Sequence, residues 1–334
     1  MNLATILRRV FPFCLIVALL LPCNARLFAA AAPNRLKIGY ASVTGNRISL
    51  WTAQEKGFFS RSGLQPELIF IASSAAGMPA LIAGEIAIFS GSPETGAQAA
   101  AGGADLVIIA SNEPTQYKLI VQPSIKRAEE LKGKKVGIDR LGGSSHYATR
   151  RMLEKLGLKS SDVEFLSITG GGSERVVAFR SGIVSAVAST IERFERAKIP
   201  YHYLIDAIDT GIRIIGSSYM TTRRFRDQNR EVLQKFVRAV IEATHWIKDP
   251  KNRAEAIRIY SRYLRTDDAT VLELNYKLYV EPMALFPHTN VDDLQSNLAA
   301  LAESNPKLRD LKVSELVDNS FVRRVQQEGV GQAR

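Results

Sequence analysis

Five short stretches rich in serine, threonine and glycine each stand where an apolar, strand-like run ends. They are Ser42-Val43-Thr44-Gly45-Asn46, Ala72-Ser73-Ser74-Ala75, Ser90-Gly91-Ser92-Pro93, Leu141-Gly142-Gly143-Ser144-Ser145 and Thr169-Gly170-Gly171-Gly172-Ser173. Repeated strand ends of this kind, each followed by a helix-like pattern, restrict the chain to an open α/β architecture. In such sheets ligands sit in the crevice beyond the carboxyl ends of the strands. Small hydroxylated residues and glycines there leave backbone N–H groups and hydroxyls available for gripping a ligand and supply little that breaks a bond.

Periodicity places strands at Leu36–Tyr40, Gln65–Ala72, Ile86–Phe89, Asp105–Ser111 and Lys118–Gln122, with helices at Ser49–Lys56 and Gly77–Ala83 ended by Gly57 and Gly84. The scheme then restarts. Lys135-Val136-Gly137-Ile138 echoes Lys37-Ile38-Gly39-Tyr40, and Gly182-Ile183-Val184-Ser185 echoes Gly84-Glu85-Ile86-Ala87, both at an offset of 98 residues. Equal offsets at both ends point to two similarly wound lobes. After Ile215 the pattern becomes helical: Asn229–Lys248, Lys251–Leu264, Asp267–Val280 and Val291–Glu303, with Thr266 and Asn290 expected as N-caps. A helical tail after two α/β lobes implies a return to the first lobe, hence two crossings, near residues 121–125 and 212–218. Paired crossings suit a hinge. The expected division is residues 34–121 with 214–330 for the first lobe and 122–213 for the second.

The first 31 residues read as a cleaved secretory leader: Arg8 and Arg9, the apolar run Val10–Leu21, then Ala29-Ala30-Ala31. The run holds about twelve residues broken by Pro12, short of the roughly 20 that a spanning helix needs. Two other patterns are weaker. Leu20-Leu21-Pro22-Cys23 has proline where a lipid-attachment signal takes a small residue, and Arg8-Arg9 is common in plain leaders. Cleavage after Ala31 lowers the formal charge from +11 to +8 and removes Cys14 and Cys23, the only cysteines. The remaining chain then carries no disulfide, thiol nucleophile or thiolate metal site.

Sought chemistry is sparse. His146, His202, His245 and His288 have no partner at metal-ligand spacing, and no G-x-S-x-G, Walker or G-x-G-x-x-G pattern occurs. Neither a metal nor a cofactor is expected. Gly142-Gly143-Ser144-Ser145 opens the helix His146–Leu156, where free N–H groups and the helix dipole form an anion site beside Arg140; capping by Ser144 is the alternative. Ser92 reads as a cap and Ser90 or Ser92 as a ligand contact, and the two roles are compatible. Trp51, Tyr117, Tyr147 and Tyr219 read as core at least as readily as stacking platforms. Arg223-Arg224-Phe225-Arg226 reads as a solvated face, with no nucleic acid partner expected.

Ala53-Gln54-Glu55-Lys56-Gly57-Phe58-Phe59 with Gly63-Leu64, Ala80-Leu81-Ile82-Ala83-Gly84-Glu85-Ile86, Leu131–Gly137 with Gly142–Ser145, and Gly182 before the next strand occur in a telling order. From about Leu36 to Glu303 the chain resembles the periplasmic substrate-binding proteins of ABC importers, in the nitrate/sulfonate/taurine and thiamine-precursor group. The resemblance implies an α/β, two-lobed type II periplasmic binding fold with a hinge, its C-terminal helices packed on the first lobe. It implies a periplasmic monomer that closes on one small solute (sulfonate-like, carboxylate or pyrimidine precursor) and docks on an inner-membrane ABC permease. It places ligand contacts at Ser42, Thr44, Asn46, Ser73, Ser74, Ser90, Ser92, Gly143, Ser144, Ser145, Thr169 and Ser189. The chain departs from the group where Ala87 and Ser185 stand at positions that often hold Asp, which leaves the ligand open. Two other uses of the fold stand beside this one: an enzyme acting on a small cyclic acid, for which Glu94 and Asp139 are the available acids, and a ligand sensor for a receptor partner.

Overall fold

The computed structural model describes residues 35–169, 172–302 and 305–331. The expected leader, Cys14, Cys23 and the glycines Gly170 and Gly171 lie outside them. Strands β1 (Arg35–Tyr40), β2 (Gln65–Phe70), β3 (Ile88–Gly91), β4 (Leu106–Ser111) and β10 (Ser218–Thr222) form one sheet in the order β2-β1-β3-β10-β4. Strands β5 (Lys118–Val121), β6 (Lys135–Ile138), β7 (Glu164–Ser167), β8 (Ala186–Ser189) and β9 (His202–Asp206) form a second, ordered β7-β6-β8-β5-β9. In each sheet four strands run in the same direction, and the antiparallel fifth is the one that has just arrived from the other sheet: β10 in the first, β5 in the second. The 98-residue echo is therefore structural, with β3 and β8 falling on equivalent positions of the two sheets.

One boundary differs from expectation. Lys118–Val121 pairs with β8 and β9, so it belongs to the second sheet, and the first crossing lies within residues 112–117. The return crossing lies within 207–217, and the two run side by side: Asn112 N–H donates to Ser217 C=O at 2.9 Å and Thr115 N–H to Ile214 C=O at 2.8 Å. Gly216 permits this approach, since a Cβ there would lie 2.0 Å from the Glu113 carbonyl oxygen.

The helices are α1 (Ile48–Glu55), α2 (Phe58–Arg61), α3 (Ser74–Ala83), α4 (Pro93–Ala101), α5 (Ser144–Lys155), α6 (Gly172–Arg180), α7 (Ile191–Ala197), α8 (Arg223–Gln228), α9 (Arg230–Lys248), α10 (Arg253–Leu264), α11 (Ala269–Tyr279), α12 (Val291–Leu301), α13 (Val313–Leu316) and α14 (Ser320–Gln327). Most lie on sheet faces, which is why β3, β4 and β8 are buried along their whole length. Amphipathic α9 buries Leu233, Phe236, Val237, Val240 and Ile241 against α1, α2 and α14, so the helical tail does return to the first lobe. Asn290 caps α12 as expected, accepting from Asp293 N–H at 3.0 Å. Thr266 does not cap α11. Asp268 does, because its carboxylate reaches both Thr270 and Val271 N–H groups, while the Thr266 hydroxyl accepts from Asp268 N–H one turn earlier. Trp51 is core, fully buried and stacked on Tyr263 with ring centroids 4.7 Å apart. The basic run at 223–226 is ion-paired, Arg223 to Asp105 and Arg226 to Asp227 and Asp318.

Candidate ligand-binding site

A cavity of about 170 Å³ lies where the carboxyl ends of the parallel strands of both sheets meet. The loop after β1 contributes Ser42, Thr44, Asn46 and Arg47, and the loop after β2 contributes Ser73 and Ser74. Ser92 and Thr95 follow β3. From the second sheet come Asp139, Arg140 and Ser144 after β6, Thr169, Gly172 and Arg175 after β7, and Thr190 and Arg193 after β8. Helices α3 to α7 all begin at this opening, because a strand that ends in small polar residues leads directly into a helix. Their N-terminal N–H groups and positive dipole ends favour a negative guest. Tyr117 and Tyr279 complete the wall.

Of the residues expected to touch a ligand, Ser42, Thr44, Asn46, Ser73, Ser74, Ser92, Ser144 and Thr169 line the cavity. Several also hold structure: Ser73 caps α3 by accepting from Ala76 N–H at 3.1 Å, Ser74 accepts from Ser92 N–H at 2.9 Å, and Ser92 caps α4. Ser90, Gly143, Ser145 and Ser189 do not reach the cavity wall. Ser90 is buried behind it, its hydroxyl accepting from Arg47 Nη1 at 2.6 Å. Ser145 donates to Asp139 Oδ1 at 2.6 Å and accepts from Asp139 N–H at 2.8 Å, which fixes the carboxylate. Gly143 is the N-cap of α5 and leaves room for that carboxylate. Ser189 is buried, and its neighbour Thr190 takes the place at the wall.

Arg47, Arg175 and Arg193 were not legible in the sequence as site residues, yet with Arg140 they give the wall four arginines against one carboxylate, Asp139. Arg47 is 1 % exposed and held by two hydroxyls, Ser90 and Ser42, the latter at 3.2 Å. Its Nε has no hydrogen-bond partner among the described residues. Burial lowers its pKa to about 10, with the Arg193 charge adding to the effect. Burial likewise lowers Arg175. Burial raises Tyr117 and Tyr279, so both phenols stay protonated near neutral pH.

Several hydrogen bonds join the lobes across the cavity's rim. Arg140 donates through Nη1 to Gln98 Oε1 and through Nη2 to Thr95 Oγ1, both at 2.9 Å. Gln98 donates in turn to the Gly142 carbonyl. Ser144 donates to Ser92 Oγ at 2.9 Å and to Glu94 Oε2 at 3.0 Å. On another side, Tyr279 of α11 donates to Glu192 of α7 at 2.8 Å. Ser144 is thus not the cap, a place Gly143 takes: it is the first residue of α5 and ties that helix to α4. Among the described residues no histidine or cysteine lines the cavity. Among the described residues no group of His, Cys, Asp and Glu is placed to hold a metal ion, and no helix is long and apolar enough to cross a membrane.

The NMT1/THI5-like family model matches residues 44–253, which span the cavity-lining loops of both sheets. The chain belongs to the NMT1/THI5-like family. A Haemophilus influenzae relative named "Putative thiamine biosynthesis protein" is 27% identical over 229 residues, 64% of this chain and 68% of that protein. Among solved structures, the alkanesulfonate-binding protein SsuA from Xanthomonas axonopodis pv. citri, bound to MOPS, superposes with a TM-score of 0.71 at 20% identity, covering 86% of this chain and 99% of that one. The periplasmic nitrate-binding protein NrtA from Synechocystis PCC 6803 gives 0.71 at 15% identity, covering 89% and 90%. At these identities the likeness establishes the fold, which this family member shares with periplasmic binding proteins.

Proposed function

We propose that this NMT1/THI5-like chain is an extracytoplasmic solute-binding protein of an ABC importer, which captures a small organic anion between its two lobes and delivers it to an inner-membrane permease. The observation that carries the reading is the cavity itself: hydroxyls, helix N-termini and four arginines converge there against one lining carboxylate, Asp139. Such a wall binds and orients an anion by charge-assisted hydrogen bonds. Family membership and the shared fold support the same reading. In it, residues 112–117 and 207–217 are the hinge, the residues between them form the second lobe, and the leader at 1–31 directs export. The bonds from Arg140, Gln98 and Ser144 hold the lobes closed.

Thermal-shift and calorimetric screening of the purified protein against sulfonates, carboxylates and pyrimidine precursors tests the proposal. A true ligand at 100 times its Kd adds about 2.7 kcal/mol of stability, and it is recovered chemically unchanged after prolonged incubation. Folded protein that no solute stabilises overturns the binding reading, and conversion of a bound solute overturns the transport reading in favour of an enzyme.

A further inference from the structure

We propose that His146 is a positioning residue for lobe closure: its neutral ring pins the loop that carries the rim bonds, and its protonation frees that loop and opens the cavity. This rests on the solute-binding reading and names a regulation of the same site by acid.

On the side of the rim between α4 and α5, the bonds that join the lobes converge on residues 140–144. Arg140 donates to Gln98 and Thr95, the Gly142 carbonyl accepts from Gln98, and Ser144 donates to Ser92 and Glu94. One side chain holds the middle of this loop. Gly142 N–H donates to His146 Nδ1 at 2.9 Å, while the carbonyl of the same residue serves the other lobe. Gly142 has φ +74°, a left-handed conformation that glycine adopts without steric cost. The loop is therefore fixed by a bond to the ring and not by a preference of its own backbone.

That bond exists in one protonation state only. An N–H donates to a ring nitrogen that carries no proton, so His146 is neutral here, with Nδ1 as acceptor. Protonation turns Nδ1 into a donor and sets two N–H groups against each other. It also places a cation in the first turn of α5, at the positive end of the helix dipole. The ring is 4 % exposed and lies edge-on to Phe165 of β7, with centroids 4.8 Å apart. Burial and the Arg150 charge hold it below the ordinary histidine range, opposed by Asp139.

The charged groups around it are few. Arg150 stands one turn further along α5, bonded through Nε to Ser160 and through Nη1 to the Ala300 carbonyl of α12. Asp139, in the loop before α5, is fixed by Ser145. β6 and β8 bring the apolar Val136, Ala186 and Ala188 to this helix. Glu94 of α4 and Asp293 of α12 bear on the neighbouring Tyr147 instead. A proton is taken up most readily where Gly142 has left the ring, so acid favours that conformation. With Gly142 displaced the Gln98 bond goes, and Arg140 and Ser144 on either side lose their alignment.

The experiment is pulsed dipolar spectroscopy on the solute-free full chain, in a Cys14→Ser, Cys23→Ser background. Spin labels at Ile82→Cys on α3 and Val177→Cys on α6 report from exposed positions on opposite lobes. Their separations give the ratio of closed to open molecules. Between about pH 7.5 and about pH 5 that ratio is expected to fall about fivefold, the effect of losing one hydrogen bond. His146→Asn keeps an acceptor at the place of Nδ1 and does not titrate, so its ratio is expected to stay at the neutral-pH value throughout. His146→Leu has no acceptor and is expected to give the lowered ratio at every pH; if it does not fold, His146→Asn alone decides. Glu94→Gln removes the other titrating group at this rim and is expected to keep the response. A ratio that ignores pH, or a response that persists in His146→Asn, overturns this inference and leaves the solute-binding reading, tested by solute screening, intact. A response lost in Glu94→Gln overturns it in favour of Glu94. One unchanging separation at every pH and with every sulfonate, carboxylate and pyrimidine precursor screened overturns both.

Discussion

The hydroxyl of Ser144 donates to the carboxylate of Glu94 at 3.0 Å, joining the first residue of α5 on one lobe to the first turn of α4 on the other. Glu94 is fully buried and also accepts from Ser92 Oγ at 2.6 Å and Asn297 Nδ2 at 3.2 Å. A hydroxyl bonded to a buried carboxyl is a sensitive place to join two lobes, because the bond changes with the charge of the acid.

Burial pushes the Glu94 carboxyl above its ordinary range, opposed by the hydrogen bonds it accepts. A group whose pKa is raised on folding contributes stability that is complete below its unfolded pKa and is lost as pH rises through the folded value. Urea unfolding of the wild type is therefore expected to show a component of stability that declines with rising pH above the ordinary glutamate range. Glu94→Gln, neutral throughout, is expected to lack that component and to be the more stable form at pH 8. Parallel pH profiles for the two proteins would refute this account.

Arg47→Met separates folding from binding. Its pKa of about 10 in place of 12.5 corresponds to a cost of about 3 kcal/mol for keeping the charge buried. Replacing a buried charge by an apolar side chain of similar length is often neutral or stabilising. Urea denaturation of the ligand-free variant is expected to show unchanged or increased stability, while calorimetry shows solute affinity reduced about 100-fold. A loss of more than about 2 kcal/mol in the ligand-free protein would instead make Arg47 a structural anchor.

At Gly143 the backbone is ordinary, with φ −85°, so the glycine is needed for space alone. A Cβ would lie 2.2 Å from Asp139 Oδ2. Gly143→Ala is expected to displace that carboxylate from Ser145, cost about 1–3 kcal/mol of stability and weaken solute binding. A crystal structure of the variant with Asp139 and Ser145 still bonded, or unaltered affinity, would show that the site accommodates the methyl group elsewhere.

Gly216→Ala drives the two crossing segments apart at the Glu113 carbonyl. Hydrogen exchange at the Asn112 and Thr115 amides, which bond to Ser217 and Ile214, is expected to accelerate selectively while exchange within α9 stays slow. Uniform acceleration throughout the chain would indicate global destabilisation instead of a loosened crossing.

Much of the architecture was legible because it depends on local chemistry. The long helix at 230–248 follows from its apolar period, the glycines at 57 and 84 end helices in the left-handed conformation, and Ser73 and Ser92 cap the helices they precede. The helix at 144–155 began two residues earlier than its apolar pattern, since Gly143, not a side chain, occupies the cap. Strand β5 was legible as a strand but not as a member of the second sheet, because an apolar run of four residues carries no record of its partner. Among the small residues at strand ends, direction was hidden: Ser42 and Ser144 face the cavity, while Ser90 and Ser145 turn to Arg47 and Asp139.

By itself the sequence determined that the chain alternates strands and helices, repeats that scheme at an interval of 98 residues and places flexible polar loops at one end of its strands. Those properties reside in neighbouring residues, through backbone sterics and side-chain period. The charge of the site was decided only by the tertiary structure. Arg47, Arg175 and Arg193 look in sequence like any surface arginines, and Arg193 in particular sits in the mixed-charge run Ile191–Ala197. Packing two sheets face to face along their loop ends draws these residues from distant segments into one cavity. There, water no longer screens them, and their number relative to the carboxylates becomes the property that matters.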